Sequence, residues 1–288
     1  MVFMRSKLFD RIWHKTLARP YRLSKRVDIG SGPLVVLLHG VGNTGMVWQH
    51  LVEELQDLPI RVVAFDLLGF GSSPKPIWPE YNVDDHVRSV VSSIERLRPV
   101  GPIILVGHSM GCLVAVRLAK TRPDLVKHLV LYEMPLLKGL PNKRYYRLRL
   151  NFYYKLNKWI QDYEPSFNGQ HAKLSERLVN KFFGFNVDRD SWQPFIKSLK
   201  NTIFEQSTPE DIPQLVMPMD VIYGSYDMLV IRGTVQHVFG SETDQLHVHT
   251  VRVGHRITRK ASKLLRKRII AAMESSTISD SETTNVGT

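Results

Sequence analysis

Residues 107–111 read Gly107-His108-Ser109-Met110-Gly111, directly after the apolar run Pro102-Ile103-Ile104-Leu105-Val106 and directly before the helix-like stretch Cys112 to Lys120. This order predicts a strand, a sharp turn and a helix, with Ser109 at the apex. A side chain at Gly107 or Gly111 would crowd such a turn, so the two glycines let the backbone fold tightly enough to present the serine oxygen. The five-residue string alone is common; the strand-to-helix setting gives it meaning.

Working outward from this turn, further β-branched or leucine-rich runs occur at Leu34–Leu38, Ile60–Phe65, His128–Tyr132, Met219–Tyr223 and His247–Val253, most of them separated by segments of helical period. The alternation predicts an α/β fold with a mostly parallel central sheet. Runs as continuously apolar as Leu34-Val35-Val36-Leu37-Leu38 predict burial on both sheet faces, hence helices on both sides. Tyr21 to Asp28 is expected to add an edge strand. The alternation breaks between about Leu136 and Pro213, where helix-like segments at Lys143–Tyr163, Ala172–Phe183 and Arg189–Glu205 have no strand among them. Inserted between two core strands, that block should emerge at the carboxyl end of the sheet and lie over Ser109. The expected organisation is therefore a helical extension over 1–20, a core formed by 21–135 and 214–273, a helical cap over 136–213, and a disordered polar tail over 274–288.

At 288 residues, with 43% hydrophobic and 23% charged residues, the chain has the balance of one well-cored domain with an insertion. The single cysteine, Cys112, excludes an internal disulfide, and the absence of Cys/His ligand spacings argues against structural zinc. No stretch reaches the roughly 18 apolar residues of a membrane span, and charges stand where a signal peptide would be apolar. A cytoplasmic protein is expected. The net charge of +12 attracts polyanions in general and selects none of them.

A serine hydroxyl is a weak nucleophile at neutral pH; it needs a base within hydrogen-bond reach and a further group that fixes the base's tautomer. His255 follows the run His247–Val253 through Gly254 and is the candidate base. Asp227 follows Met219–Tyr223 in the turn Gly224-Ser225-Tyr226-Asp227 and is the candidate acid, which gives the chain order Ser, Asp, His. Glu133, directly after His128–Tyr132, competes for the acid's role. Two backbone N–H groups should hold the oxyanion of a tetrahedral intermediate: that of Met110, next to the nucleophile, and that of Val41 in the loop His39-Gly40-Val41-Gly42-Asn43.

Together these residues resemble the α/β-hydrolase superfamily, specifically its capped members with a His-Gly-x-Gly oxyanion loop. The resemblance spans roughly Tyr21 to Met273. It rests on Leu38-His39-Gly40-Val41-Gly42 followed by Trp48, on Asp66-Leu67-Leu68-Gly69-Phe70-Gly71-Ser72-Ser73, on the turn at Ser109, on Gly224-Ser225-Tyr226-Asp227 and on Gly254-His255. It implies an α/β-hydrolase fold and a reaction carried by Ser109, His255 and Asp227 without a cofactor or metal. It leaves open carboxylesters, thioesters, lipids, C–C bonds and peroxidation. The serine disfavours epoxide hydrolases and haloalkane dehalogenases, which carry an aspartate there. Two departures from the family pattern stand out: one strand instead of two ahead of Leu34, and Cys112 where glycine is common.

The expected substrate is a small-molecule carboxylic ester or thioester with an apolar acyl part, held by Phe70, His108 and the cap aromatics Tyr145 and Phe152. Hydrolysis is expected to rise with pH as the imidazole loses its proton. C–C bond cleavage by the same triad, and a slow or non-catalytic ligand receptor, are the alternatives. The segment Arg144 to Lys155 interleaves aromatics and cations as base-stacking surfaces do, but reads better as an amphipathic cap helix, and no nucleic-acid partner is expected. Cations on Lys7–Ala18 and on the last helix (Arg259, Lys260, Lys263, Arg266, Lys267, Arg268) make anionic lipid, or an acidic carrier protein, the candidate partner of the basic surface. His247 and His249 share a strand face, and two ligands without carboxylates make a poor metal site.

Overall fold

The computed structural model describes residues 11–17, 19–138, 144, 147, 148, 150, 151, 154, 155, 158, 185–227, 229–231, 234–239 and 245–274. Seven strands form one sheet: β1 (Lys25–Gly30), β2 (Leu34–Leu38), β3 (Arg61–Phe65), β4 (Ile103–His108), β5 (Val126–Tyr132), β6 (Met219–Gly224) and β7 (Leu246–Val251). Their spatial order is β1-β3-β2-β4-β5-β6-β7, with β1 antiparallel to β3 and every other pair parallel. The helices that cover it are α1 (Gln49–Leu55), α2 (Val83–Glu95), α3 (Met110–Thr121), α4 (Trp192–Ser198), α5 (Thr208–Asp211), α6 (Thr234–Phe239) and α7 (Arg259–Glu274).

Strand alternation splits the core in two. Val36, Leu38, Leu105 and Leu129 face α2 and α3, whereas Val35, Leu37, Ile104 and Val106 face α1 and α7. Each helix carries the matching stripe. In α7 the buried residues Ala261, Leu265, Ile269 and Ala272 recur at helical spacing, and in α2 so do Val87, Val90 and Ile94. The start of α2 is fixed by Asn82, whose side chain accepts from the Asp85 N–H at 2.9 Å, with Asp84 and Asp85 favourably placed in the first turn.

The edge strand starts later than its apolar pattern suggests, at Lys25 instead of Tyr21. Tyr21 and Leu23 are buried by packing and not by strand pairing; Tyr21 stacks on His14 at 3.7 Å and tilts against Trp78 at 6.5 Å. Among the described residues β1 is the one antiparallel strand, as the single run ahead of Leu34 implied. The expected helix over Arg189–Glu205 divides into α4 and a π-helical turn, Leu199–Phe204. The chain returning from this segment is tied to the core by buried Gln206, whose amide donates to Pro135 O (3.0 Å) and accepts from the Leu137 N–H (2.9 Å). The expected helix over Ala172–Phe183 and the tail over 275–288 lie outside the described residues.

A buried polar cluster joins β5, β6, β7 and α7. Asp220 accepts from His128 Nε2 at 2.9 Å and from His249 Nε2 at 2.6 Å, and Arg268 approaches it at 3.7 Å. His249 is thus engaged by a carboxylate with an arginine alongside, which closes the reading of His247 and His249 as a metal pair. Burial opposes the Asp220 charge, but the two histidine hydrogen bonds outweigh it and hold the carboxyl well below its ordinary value. A carboxyl lowered in the fold lends stability above the unfolded value of 3.8, and that stability is lost as pH falls through the folded value. Asp220→Asn should therefore cost roughly 2–3 kcal/mol at neutral pH, the worth of hydrogen bonds to a charged group. In urea titrations the variant should also lose part of the wild type's decline in stability below about pH 4; parallel wild-type and variant curves would refute the assignment.

Candidate active site

The carboxyl ends of β2, β4, β5, β6 and β7 converge on one region, where this fold class gathers its ligands. Ser109 sits between β4 and α3 at φ 52° and ψ −121°, a strained backbone for any residue but glycine. The turn holds because nothing larger than hydrogen stands on either side. A Cβ on Gly107 would lie 2.7 Å from the Cys112 backbone, and one on Gly111 would lie 2.3 Å from Leu38 O. The Ser109 N–H donates to Tyr132 O at 3.0 Å, and its carbonyl accepts from the Cys112 N–H at 2.9 Å. Cys112 is buried beneath, its thiol pushed well up by desolvation, as a packing residue would be.

His255 and Asp227 meet across two loops. His255 Nδ1 lies 2.7 Å from Asp227 Oδ2, and the Asp227 side chain is fully buried. The loops themselves are joined by backbone bonds, Ser225 N–H to Val251 O (2.8 Å) and Tyr226 N–H to Val253 O (3.0 Å). Burial resists the Asp227 charge; the His255 ring, with help from Glu133 and the Leu229 N–H, overcomes it and brings the carboxyl down to about 2. Glu133 is fully buried at φ 54°, and its Oε1 accepts from the Gly224 N–H. Glu133 is therefore turned to the Gly224 amide, while Asp227 is the carboxylate bonded to the imidazole. These three residues are close enough to hold a metal ion, with ligand atoms within 4.8 Å of one another. Their oxygens and nitrogens are already turned to each other and to the Gly224 amide, which suits a hydrogen-bonded relay.

Two buried side chains that sequence reasoning did not connect with the base hold its loop from below. His108 Nε2 donates to His255 O at 2.9 Å, and the Tyr132 hydroxyl lies 3.1 Å from Gly254 O and 3.2 Å from Arg256 O, with its one proton shared between them. Three consecutive carbonyls thus converge on one histidine and one tyrosine. The His108 ring lies between Tyr132, at 5.5 Å, and His255, at 4.9 Å. Burial lowers the His108 imidazole to about 3 and pushes the Tyr132 phenol far up, so His108 is neutral and Tyr132 protonated near neutral pH. A tyrosine at the buried end of a strand was the only sequence signal available.

Opposite the base, Gly40 packs on the elbow: a Cβ there would stand 2.9 Å from Ser109 Cβ. The loop is fixed by buried His39, whose Nδ1 donates to Gly40 O at 2.7 Å while Nε2 accepts from the Leu67 N–H at 2.8 Å; burial pushes its imidazole down to about 4. Val41 lines the cavity beside Ser109, and Met110 opens α3, where a first-turn N–H has no intrahelical acceptor. Both expected oxyanion donors thus flank the serine.

The cavity measures about 300 Å³ and is lined by Val41, Val47, His108, Ser109, Phe185 and His255, among others. His108 therefore borders it as expected. Phe70 does not: it is buried in the core, edge-on to His39 at 5.8 Å, because the glycine-rich turn around it folds inward. The aromatic residue that borders the cavity is Phe185, which packs on Phe195 at 5.1 Å. Tyr145 and Phe152 lie outside the described residues.

This geometry agrees with the family comparison. A model of the alpha/beta hydrolase fold matches residues 33–257, and the chain belongs to that family. It is 37% identical over 102 residues to a probable lysophospholipase, BODYGUARD 4 of Arabidopsis thaliana, covering 35% of this chain and 24% of that protein. It is 41% identical over 105 residues to the lipase LipV of Mycobacterium tuberculosis, covering 36% and 38%, and 31% identical over 137 residues to epoxide hydrolase 2 of Siraitia grosvenorii, covering 47% and 43%. The matches thus span less than half the length of these relatives. Among solved structures, the putative non-heme bromoperoxidase BpoC of Mycobacterium tuberculosis superposes with TM-score 0.68 at 18% identity, over 89% of this chain and 97% of that one. A thioesterase domain from the curacin biosynthetic pathway gives 0.60 at 21% identity, over 87% and 99%. At these identities the structures speak for the fold.

The 2.7 Å contact between His255 and Asp227 should give a strongly downfield Nδ1 proton resonance in wild-type protein, absent from Asp227→Ala. Tyr132→Phe should keep that resonance but lower stability by about 1–2 kcal/mol, the cost of two backbone carbonyls losing a buried donor. A Tyr132→Phe protein as stable as wild type would show that the loop does not rely on the hydroxyl.

Proposed function

We propose that the chain is a serine hydrolase acting on a carboxylic ester or thioester with an apolar acyl group. The observation that carries the reading is Ser109, held at positive φ on the elbow, opening into the same cavity as an imidazole whose far nitrogen is bound to buried Asp227. In this reading His255 takes the Ser109 proton as Oγ attacks the acyl carbonyl, and the new C–O bond forms as the carbonyl π pair moves onto oxygen. The Val41 and Met110 amides receive that oxyanion. Collapse expels the leaving group, which takes the proton from His255 and leaves an acyl-serine; water then repeats the steps and releases the acid. Asp227 keeps the Nδ1–H tautomer and balances the imidazolium. No step calls for a cofactor.

The apolar acyl preference rests on Val41, Val47, Phe185 and Ile257 in the cavity wall, and a space of about 300 Å³ favours short acyl chains. Support for ester over epoxide or halide chemistry comes from the residue itself, since a serine at the elbow gives an acyl-enzyme that water can hydrolyse.

Fluorophosphonate labelling of the full chain, with p-nitrophenyl ester hydrolysis over a series of acyl lengths, tests the proposal. Labelling should vanish in Ser109→Ala, and kcat/KM should fall by at least about 10⁴-fold. Asp227→Asn should fall by roughly 10³–10⁴-fold through the wrong imidazole tautomer, and Glu133→Gln by far less. No labelling of wild type would overturn the serine-hydrolase reading; equal losses in Glu133→Gln and Asp227→Asn would move the acid's role to the pair.

A further inference from the structure

The segment ahead of β1 is chemically unlike the rest of the surface. Residues 11–24 contain four Lys and Arg and no Asp or Glu. Its first turn, Arg11–Thr16, is π-helical and closes with the Leu17 N–H donating to Ile12 O at 3.0 Å. That register stacks Leu17 one turn above Ile12 with Trp13 beside them. All three are turned outward, at 48% exposure for Ile12, 42% for Trp13 and 54% for Leu17. The turn is not loosely attached: His14 stacks on Tyr21 at 3.7 Å and 16°, Tyr21 meets Trp78, and the neighbouring Ile77 is 83% exposed. A rigid apolar patch therefore stands in solvent.

Cations surround it. Lys15, Arg19 and Arg22 are exposed, and the Arg19 guanidinium lies 5.8 Å from the Trp13 ring centre. Beside the turn runs a groove of about 660 Å³ with Trp13, Arg19 and Arg96 on its wall. The acids that border it are already paired, Asp84 with Arg117 at 2.9 Å and Glu95 with Arg122 at 2.7 Å. Of the groove's arginines, Arg88 is paired with Asp85 and Arg122 with Glu95, which leaves Arg19 and Arg96 as its cations. The other basic element, α7, differs: Arg266 is paired with Asp57 and Arg268 is drawn to Asp220, and its apolar side is buried on the sheet.

We infer that the exposed face of residues 12–22 docks the protein on an anionic phospholipid bilayer, with Ile12, Trp13 and Leu17 in the headgroup region and Lys15, Arg19 and Arg22 on the phosphates. An indole with a cation over it suits the membrane interface, and apolar side chains mixed with uncompensated cations fit a surface that offers hydrocarbon and negative charge together. The net charge of +12 brings the whole molecule to such a surface. An acidic protein would use the cations and leave three large apolar side chains without a purpose.

Flotation of the full chain with vesicles of phosphatidylcholine, alone or mixed with phosphatidylglycerol, reads this without any turnover, so the result is independent of the proposed hydrolysis. Wild type and Ser109→Ala should float equally with the mixed vesicles and remain below with phosphatidylcholine alone. K15Q/R19Q/R22Q should bind roughly a hundredfold more weakly, the loss expected for three cations at an anionic surface, and I12S/L17S at least about tenfold more weakly. Both variants should hydrolyse a soluble ester as wild type does. Binding to mixed vesicles that survives both sets of substitutions would overturn the proposal, as would retention on polyglutamate with no flotation, which would mark the face as a site for acidic protein.

Discussion

Everything at the carboxyl end of this sheet depends on how closely β4 and α3 approach the loop after β2. Gly111 leaves room for the Leu38 carbonyl and Gly107 for the Cys112 backbone, and neither space would admit a methyl group. Because the approach is that tight, the connection between β4 and α3 has no slack, and Ser109 is forced to positive φ with its side chain outward. The same contact brings Gly40 against Ser109, so the amides on either side of the serine are placed by backbone packing and not by side chains that could swing away. The strain is spread over a sheet buried on both faces, which is why a local outlier can persist.

Around that turn the fold keeps charges few and well matched. Two histidines beside it, His39 and His108, are buried and pushed down by desolvation, so neither adds a positive charge next to His255 near neutral pH. The full negative charge beneath the imidazole is Asp227, drawn down to about 2. Glu133 lies close by, with ligand atoms within 4.8 Å of those of Asp227 and His255, and turns its Oε1 to the Gly224 N–H.

How much of this was legible follows the physics of each signal. The parallel strands were readable because burial on both faces writes an uninterrupted apolar run, and Leu34–Leu38 coincides with β2 to the residue. β1 was displaced because its pattern was carried by Tyr21 and Leu23, which are buried by aromatic stacking and side-chain packing ahead of the strand, whereas β1 itself is mostly exposed. Ser109, Asp227 and His255 stood out because chemistry demands those residue types after those strands. Phe70 was misplaced for the opposite reason: its motif states that a glycine-rich turn exists, and says nothing about which way the ring points. Tyr132 and His108 as props for the base loop depend on contacts across 122 and 147 residues of sequence, which no local pattern encodes.

The props explain how a loop at the sheet's edge can hold an imidazole in a fixed place. His255 follows β7, a strand at the sheet's edge that has one strand neighbour, so the sheet alone would leave its loop weakly held. The fold compensates from the centre. Tyr132 ends β5 and His108 ends β4, strands paired on both sides and almost entirely buried, and their side chains reach outward to the carbonyls of Gly254, His255 and Arg256. The position of the base is therefore referred to the same strands that position Ser109. A displacement of β7 at the edge need not move the imidazole relative to the serine, and that is the mechanical condition that the proposed proton transfer between residues so far apart in sequence would require.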